Sequence, residues 1–401
     1  MQKTLDFIAK HLSDDVRNLA LQASRYPNVD MPFAIDQIAG YQTALQKLPT
    51  FAKTAGIYYP HHLSMEQCSS EQAARHKAEI IANIPSNKDS FVDLTAGFGI
   101  DFSFIAPLFR QSTAIERQDY LCEIQQHNLP LLGLDNAQVI HADASRYLEG
   151  TDYADWIFLD PARRDAHGGK VVAISDCEPN VAEWEESLLE KANYVMVKLS
   201  PMLDITLALR TLKHVREVHV IAVHNECKEL LFVLDKNTHS IDSIQLTATN
   251  LTSQGNQMFR FTMQEESDAA VIFSDSIQDY LYEPNTALIK SGAFRSVANR
   301  FGVKKLHPNS HLYTSPVFIP DFPGRSFQVD SVCGFGKKDI KTFLQGISQA
   351  NLSVRNFPSS VAELRKRLKL KDGGDVYLFA TTLKESEKVL IKCRKTEKNK
   401  D

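Results

Sequence analysis

The chain lacks a CxxC pair, a cysteine–histidine cluster and any apolar run long enough to span a bilayer. Its six cysteines, Cys68, Cys122, Cys177, Cys227, Cys333 and Cys393, stand far apart. Such spacing predicts reduced thiols and argues against a zinc site or a disulfide frame. The opening MQKTLDFIAKHLSDD meets charge within a few residues and has no signal-peptide core, so a cytoplasmic protein without a membrane partner is expected. An overall excess of positive charge is missing too. The net charge is −4 over 401 residues, which excludes a general polyanion binder.

What is present is an ordinary globular composition, 43% hydrophobic and 23% charged, in a chain long enough for several domains. Charge is unevenly spread. Residues 351–401 carry 13 Lys and Arg against 7 Asp and Glu, a surplus of six, so the remainder of the chain holds about −10. A basic end on an acidic body fits contact with a polyanion; a solvated helix followed by a Lys-rich terminus is the plainer account.

Residues 1–85 read as helical: Leu5, Ile8, Leu12, Val16 and Leu19 recur at helical steps, and a further helix fits 35–48. Ser69 followed by Gln72 predicts a capping box opening another helix. From 86 the texture alternates, with strands expected at 91–95, 112–116, 137–141, 155–159, 194–198, 217–223 and 229–235. The last two are separated only by HNECK and predict an antiparallel hairpin. Five crossover-linked strands plus that hairpin predict an α/β fold, a mainly parallel, doubly wound sheet with one reversed strand. Short strands follow at 241–248, 258–263 and 270–273, then a helix and strand after 282, and strand, helix, strand, helix, strand from 326.

In doubly wound sheets ligands sit beyond the carboxyl ends of the strands. The first strand runs out through FVDLTAGFGIDF, with Asp93, Thr95, Ala96, Gly97, Gly99 and Asp101 at its end. Glu116 follows Gly99 by 17 residues, where an acid accepts from a ribose diol. The third strand ends in HADA, offering Asp143 to an adenine amino group beside Ala144. The fourth ends in LDPARRD, with Asp160 and Pro161 at the edge and Arg163 and Arg164 beyond. The fifth leaves Lys198 at its end. A dinucleotide fingerprint requires a third glycine where Phe102 stands, and a pyrophosphate would be repelled by Asp93 and Asp101. Those acids suit a ligand with cationic groups, a sulfonium and an α-amino group, which describes S-adenosyl-L-methionine. An NAD-linked oxidoreductase is correspondingly disfavoured.

FVDLTAGFGIDF, AIERQ, HADA and FLDPARRD resemble, in order and spacing, the motifs of class I S-adenosylmethionine-dependent methyltransferases over about 86–235. SMEQCSSEQAARHKA, LDPARRD, VKLSPMLDI and RNFPSSVAELRKRLKLKDGGDVYLFATTL extend the likeness to nearly the whole chain. They resemble a bacterial methyltransferase family with a C-terminal THUMP-like domain, the PG_1098 type. The resemblance implies a helical region over 1–85, a Rossmann-like seven-stranded methyltransferase domain over 86–235 and a β-rich connection over 236–281. It further implies a ferredoxin-like segment over 282–325 and a THUMP-like domain over 326–396.

It also implies an S-adenosylmethionine-dependent enzyme, with RNA as the expected partner of the basic C-terminal domain. Related amino-methylating enzymes hold the target amine with Asn or Asp, two prolines and an aromatic. Here Asp160 and Pro161 match, while Ala162 and Arg163 do not. Asp160 and Pro161 are expected to position the acceptor. Arg163 is suited to phosphate or stacking, or to an ion pair with an acid. Lys198 could orient substrate, act as a base if desolvated, or pair with Asp160. Asn225 and Glu226 are turn residues that could reach a substrate, Cys227 has no flanking signature of a nucleophile, and Gln67, Ser69 and Ser70 could cover the cofactor. A non-catalytic RNA-binding scaffold, or an enzyme acting on a protein or small molecule, remains the alternative.

Overall fold

The computed structural model describes residues 2–163, 174–384 and 386–396. Two compact units emerge, Met1–Glu217 with Glu229–His239, and Val218–Lys228 with Ser240–Asp401.

The first unit begins with six helices, α1 Gln2–His11, α2 Val16–Leu21, α3 Met31–Lys47, α4 Pro49–Lys53, α5 His62–Gln67 and α6 Glu71–Asn83. Then come β1 Ser90–Asp93, α7 Ile100–Ile105, β2 Gln111–Glu116, α8 Asp119–Leu131, β3 Ala137–His141, α9 Ala144–Gly150 and β4 Ala154–Leu159. A two-strand ribbon, β5 Ala162–Arg163 with β6 Cys177–Glu178, precedes α10 Val181–Lys191, β7 Ala192–Leu199 and α11 Ile205–Thr211. Strands β8 Val215–Val223 and β9 Glu226–Asp235 complete this stretch. In the first unit's sheet the strands run in the order β9-β7-β4-β1-β2-β3, with β9 antiparallel to β7 and the rest parallel. The chain moves outward from β1 through β2 to β3, then returns to the other side of β1 as β4. The switch point between β1 and β4 is where such sheets open a crevice for ligand.

The core follows from the apolar runs. Phe91 on β1 stacks on Phe102 and Phe109 at ring distances of 5.8 and 5.1 Å, and Trp156 on β4 is fully buried. Each such side chain contributes roughly 1.5–3 kcal/mol on burial. The helical region is fastened to the sheet by the same means. Phe51, Ile57, Met65 and Ala74 pack with Phe98 of the turn after β1 and with Ile100 at the start of α7. Gly40 on α3 permits this: a Cβ there would lie 2.2 Å from Tyr59 Cβ. The backbone of Tyr59 is held on α3 by Gln37, whose amide accepts from Tyr59 N at 2.8 Å and donates to Tyr59 O at 2.9 Å. The expected capping box does not form, since Ala73 at the third helical position cannot reach back to the cap. Ser70 is the N-cap of α6, accepting from Ala73 N, because the Ser69 hydroxyl is turned to a buried acid instead.

Between β8 and β9, His224 and Asn225 both have left-handed φ, 48° and 63°. Two consecutive left-handed residues make the tight turn whose twist suits a hairpin. The second unit continues with β10 Gln245–Leu251, β11 Gln257–Thr262, α12 Met263–Asp268, β12 Tyr280–Pro284, α13 Thr286–Ser291, α14 Ser296–Phe301, β13 Lys304–Lys305 and β14 Tyr313–Ser315. Then follow β15 Gly324–Gly334, α15 Lys337–Phe343, β16 Asn351–Arg355, α16 Val361–Leu368, β17 Tyr377–Thr382 and β18 Lys388–Lys395. A seven-stranded sheet runs β13-β14-β12-β15-β18-β17-β16. The strand expected at 270–273 reduces to a single bridge, Phe273 to Lys305. The helix expected after 282 divides into α13 and α14, because Gly292 leaves the helical path with φ 82°. Strand β18, absent from the sequence reading, lies between β15 and β17 and is antiparallel to both.

Candidate cofactor and catalytic site

The carboxyl ends of β1, β4 and β7 bring the sequence-predicted acids together. Asp93 ends β1, is 1% exposed, and accepts from Thr95 N at 2.9 Å. Thr95 Oγ1 in turn accepts from Asp160 N at 2.7 Å, which ties the end of β4 to the turn after β1 across the switch point. Ala96 N donates to Ile115 O, holding that turn beside β2. Gly97 and Gly99 have φ of 57° and 82°, a region that costs a side chain about 1 kcal/mol or more, so glycine is required here. Gln125 from α8 locks the turn by donating to Gly97 O at 2.8 Å.

Glu116 ends β2 nearly buried, accepting from Gly97 N and Gln118 N, both at 2.8 Å. Each carboxylate oxygen has a second lone pair, so Glu116 retains capacity for a diol. Asp143 is exposed and serves as N-cap of α9, accepting from Ser145 N at 2.9 Å, with Ala144 the first helical residue. The Ser145 side chain and backbone hold its pKa below the usual carboxylate range.

Asp101, expected to face a cationic ligand, is otherwise employed. In the first turn of α7 it accepts from Ser69 Oγ at 2.8 Å and lies 3.2 Å from Lys77 Nζ and 3.6 Å from Lys198 Nζ. Burial alone would raise its pKa, but Lys77 and Lys198 hold it low. Asp101 is thus the hub of an internal charge cluster. Lys77, fully buried on α6, also reaches Glu229 Oε1 at 2.5 Å at the start of the apolar part of β9. Lys198, at the end of β7, sits 2.5 Å from Asp160 Oδ2. Burial opposes the Lys198 charge, yet Asp160, Asp101 and Glu229 outweigh it and push its pKa upward. These three acids favour the ammonium form of Lys198.

Asp160 is raised by burial and pulled back by Lys198. With 37% of its side chain exposed, its rise is smaller than that of Asp93. Asp93 is raised well above the usual range by burial, and Asp101 and Asp160 add to the rise. Among the described residues no Lys or Arg forms an ion pair with Asp93. Pro161 is buried next to Asp160, whereas the Arg163 side chain and Arg164 lie outside the described residues. No group of three or more possible metal-ligating side chains occurs among the described residues, and none of their helices is long and apolar enough to cross a membrane.

Comparison with known proteins is decisive at this point. Residues 280–323 match a ferredoxin-like domain family and residues 324–395 a THUMP domain-like family. The crystal structure of a candidate methyltransferase from Porphyromonas gingivalis W83 is 36% identical, covers 98% of both chains and superposes with a TM-score of 0.87. The chain belongs to this family of S-adenosylmethionine-dependent methyltransferases with C-terminal ferredoxin-like and THUMP-like domains. A curated relative, the 23S rRNA (uracil(1939)-C(5))-methyltransferase RlmD of Vibrio vulnificus strain CMCP6, is 34% identical over 135 residues. That match spans 30% of this chain and 30% of the relative's length.

Three residues of the internal charge cluster have roles that the sequence alone does not reveal. Lys77 and Glu229 carry no motif, and the sequence around Ser69 predicts a cap or a cofactor cover rather than a hydrogen bond to Asp101. A signal existed for Lys77: it lies between Ala74 and Ile80–Ile81 on the buried stripe of α6, where an unpaired lysine would be costly. Asn225, Glu226 and Cys227 belong to the second unit. There Asn225 Oδ1 accepts from Thr286 N, and Glu226 pairs with Lys228 at 2.7 Å.

Proposed function

We propose that this chain methylates RNA with S-adenosylmethionine, holding the acceptor at Asp160 and Pro161. The observation that carries the reading is a charge imbalance. Around the switch point the described side chains include four carboxylates (Asp93, Asp101, Asp160 and Glu229) against two ammonium groups, Lys77 and Lys198. Lys77 and Lys198 are engaged by Asp101, Asp160 and Glu229, so Asp93 is the acid that a cationic ligand would satisfy. Asp93 for the ammonium side, Glu116 for the ribose diol and Asp143 for the adenine edge fit this cofactor. When bound, it supplies a methyl group activated by the sulfonium.

The chain's own residues then orient the acceptor. Lys198 favours the ionised form of Asp160 and fixes its Oδ2, so the carboxylate accepts an N–H or O–H from the incoming group and directs its lone pair. Methylation of a pyrimidine carbon instead needs a thiolate or similar nucleophile to activate the ring. Burial works against a thiolate at the described cysteines of the first unit: it raises Cys68, whose thiol donates to Met65 O, it pushes Cys122 up to about 11, and Cys177 is buried as well. This favours a nitrogen or oxygen acceptor. The basic stretch 351–401, the THUMP-like domain and the partial likeness to an rRNA methyltransferase support RNA as the substrate class.

Mass spectrometry of RNA nucleosides from a deletion strain and its parent tests this. A lost N- or O-methylated nucleoside is expected. Loss of a carbon-methylated pyrimidine would overturn the acceptor assignment, and an unchanged profile would overturn RNA as the substrate.

A further inference from the structure

A polar cavity of about 240 Å³ lies within the second unit, and its lining includes Asn225, Asn250, Gln257, Asn285, Arg325 and Lys395. The orientation of its amides is set by the backbone. Thr286 N donates to Asn225 Oδ1 at 2.9 Å, Asn225 N to Asn250 Oδ1 at 2.8 Å, and Leu288 N to Asn285 Oδ1 at 3.0 Å. A backbone N–H requires an oxygen, so the NH₂ ends of these three amides are fixed. Asn250 and Asn285 each direct one amide hydrogen at Gln257 Oε1, at 3.1 and 3.2 Å. Gln257 Nε2 reaches Gly324 O at 3.4 Å.

The oxygens of Asn225, Asn250, Gln257 and Asn285 are therefore engaged from within the protein. Hydrogens remain to spare on the four amide nitrogens, because each carries two. Arg325 and Lys395 add positive charge, and among the described residues no Asp or Glu lines the cavity. The nearby buried Glu283 binds Arg325 and, at 2.6 Å, Arg355, so two guanidinium groups share one carboxylate and leave a net positive charge. A pocket of spare donors and cations, with the acceptors of these four amides already used, favours a ligand that accepts hydrogen bonds and carries negative charge. Its volume lies below the roughly 300–1,000 Å³ typical of sites for drug-sized molecules, which suits a phosphate group with part of its nucleotide.

We propose that this pocket holds a backbone phosphate of the RNA strand; the identity of the strand rests on the RNA reading above. The test uses the full chain, a fluorescein-labelled single-stranded RNA and two variants. Asn225→Asp keeps the acceptor for Thr286 N but replaces spare donors with a carboxylate. Lys395→Gln removes a partly exposed charge and leaves the amide network alone. Each is expected to weaken RNA binding at least ~10-fold, and Lys395→Gln to flatten the salt dependence by about one unit of slope. Calorimetric binding of S-adenosylmethionine and the thermal midpoint should be unchanged.

Unchanged RNA affinity in both variants overturns the proposal. So does a wild type that takes up inorganic phosphate in a Lys395-dependent way but fails to bind RNA. Labelled-methyl incorporation separates this from the function itself. If the wild type binds RNA through these residues yet transfers no methyl group, the methyltransferase reading fails while the pocket stands.

Discussion

The two polar sites are electrostatic opposites. In the first unit, carboxylates outnumber ammonium groups and Asp93 has no ion-pair partner among the described residues. In the second, amide oxygens are consumed internally, while amide N–H groups, Lys395 and the surplus charge of two guanidinium groups on Glu283 are left over. The difference teaches that the ligand's charge is written in what the protein leaves unsatisfied rather than in residue type alone. Asp101 and Asp93 flank the same glycine turn, yet only Asp93 is left needing a cation. Asn225 and Asn285 have an ordinary turn-and-cap composition, but with their oxygens occupied they act as donors.

Four substitutions sharpen or break this contrast. Asp160→Asn should reduce methyl incorporation by ~10²–10⁴, the usual range for removing an oriented acid–base group, with cofactor affinity within a few-fold. Loss of both together would make Asp160 part of the cofactor site instead. Lys77→Met should destabilise the first unit by ~3–5 kcal/mol in denaturant unfolding, because Glu229 and Asp101 would be left buried with one cation fewer. Adding Glu229→Gln should recover part of that loss; no recovery would mean the pair is not the source.

Asp93→Asn keeps an acceptor for Thr95 N and should weaken cofactor binding ~10–100-fold, the worth of a charge-assisted bond. Stability should move the other way. A buried acid with a raised pKa is most favourable below its unfolded value, and that contribution is lost as pH rises through the folded value. The neutral variant should therefore unfold at the same or a higher midpoint at neutral pH. Asp143→Ala should have the smallest effect, a few-fold in cofactor affinity, since Asp143 is exposed and screened.

The parallel strands and the acids at their ends were legible because each strand is a short apolar run closed by a polar residue, and the sheet topology places all such ends on one edge. What the sequence did not disclose were partnerships. Ser69 and Ser70 are adjacent hydroxyls, and only the buried Asp101 decides that Ser70 caps α6. Lys77 and Glu229 are 152 residues apart, and nothing local marks them as a pair. Strand β18 was hidden by its lysines. Val389, Ile391 and Cys393 face one core, Leu390 faces the other, and Lys388, Lys392 and Arg394 give the segment the look of a solvated tail.

The most direct test of a site built for a cation is calorimetric titration of the full chain with S-adenosylmethionine, at neutral and at acidic pH, for the wild type and Asp93→Asn. Protons compete with the ligand for Asp93, so wild-type affinity should fall as the pH drops through that raised pKa. Asp93→Asn should bind weakly at both pH values. Absence of binding by the wild type, or equal affinity in the variant, would contradict the account.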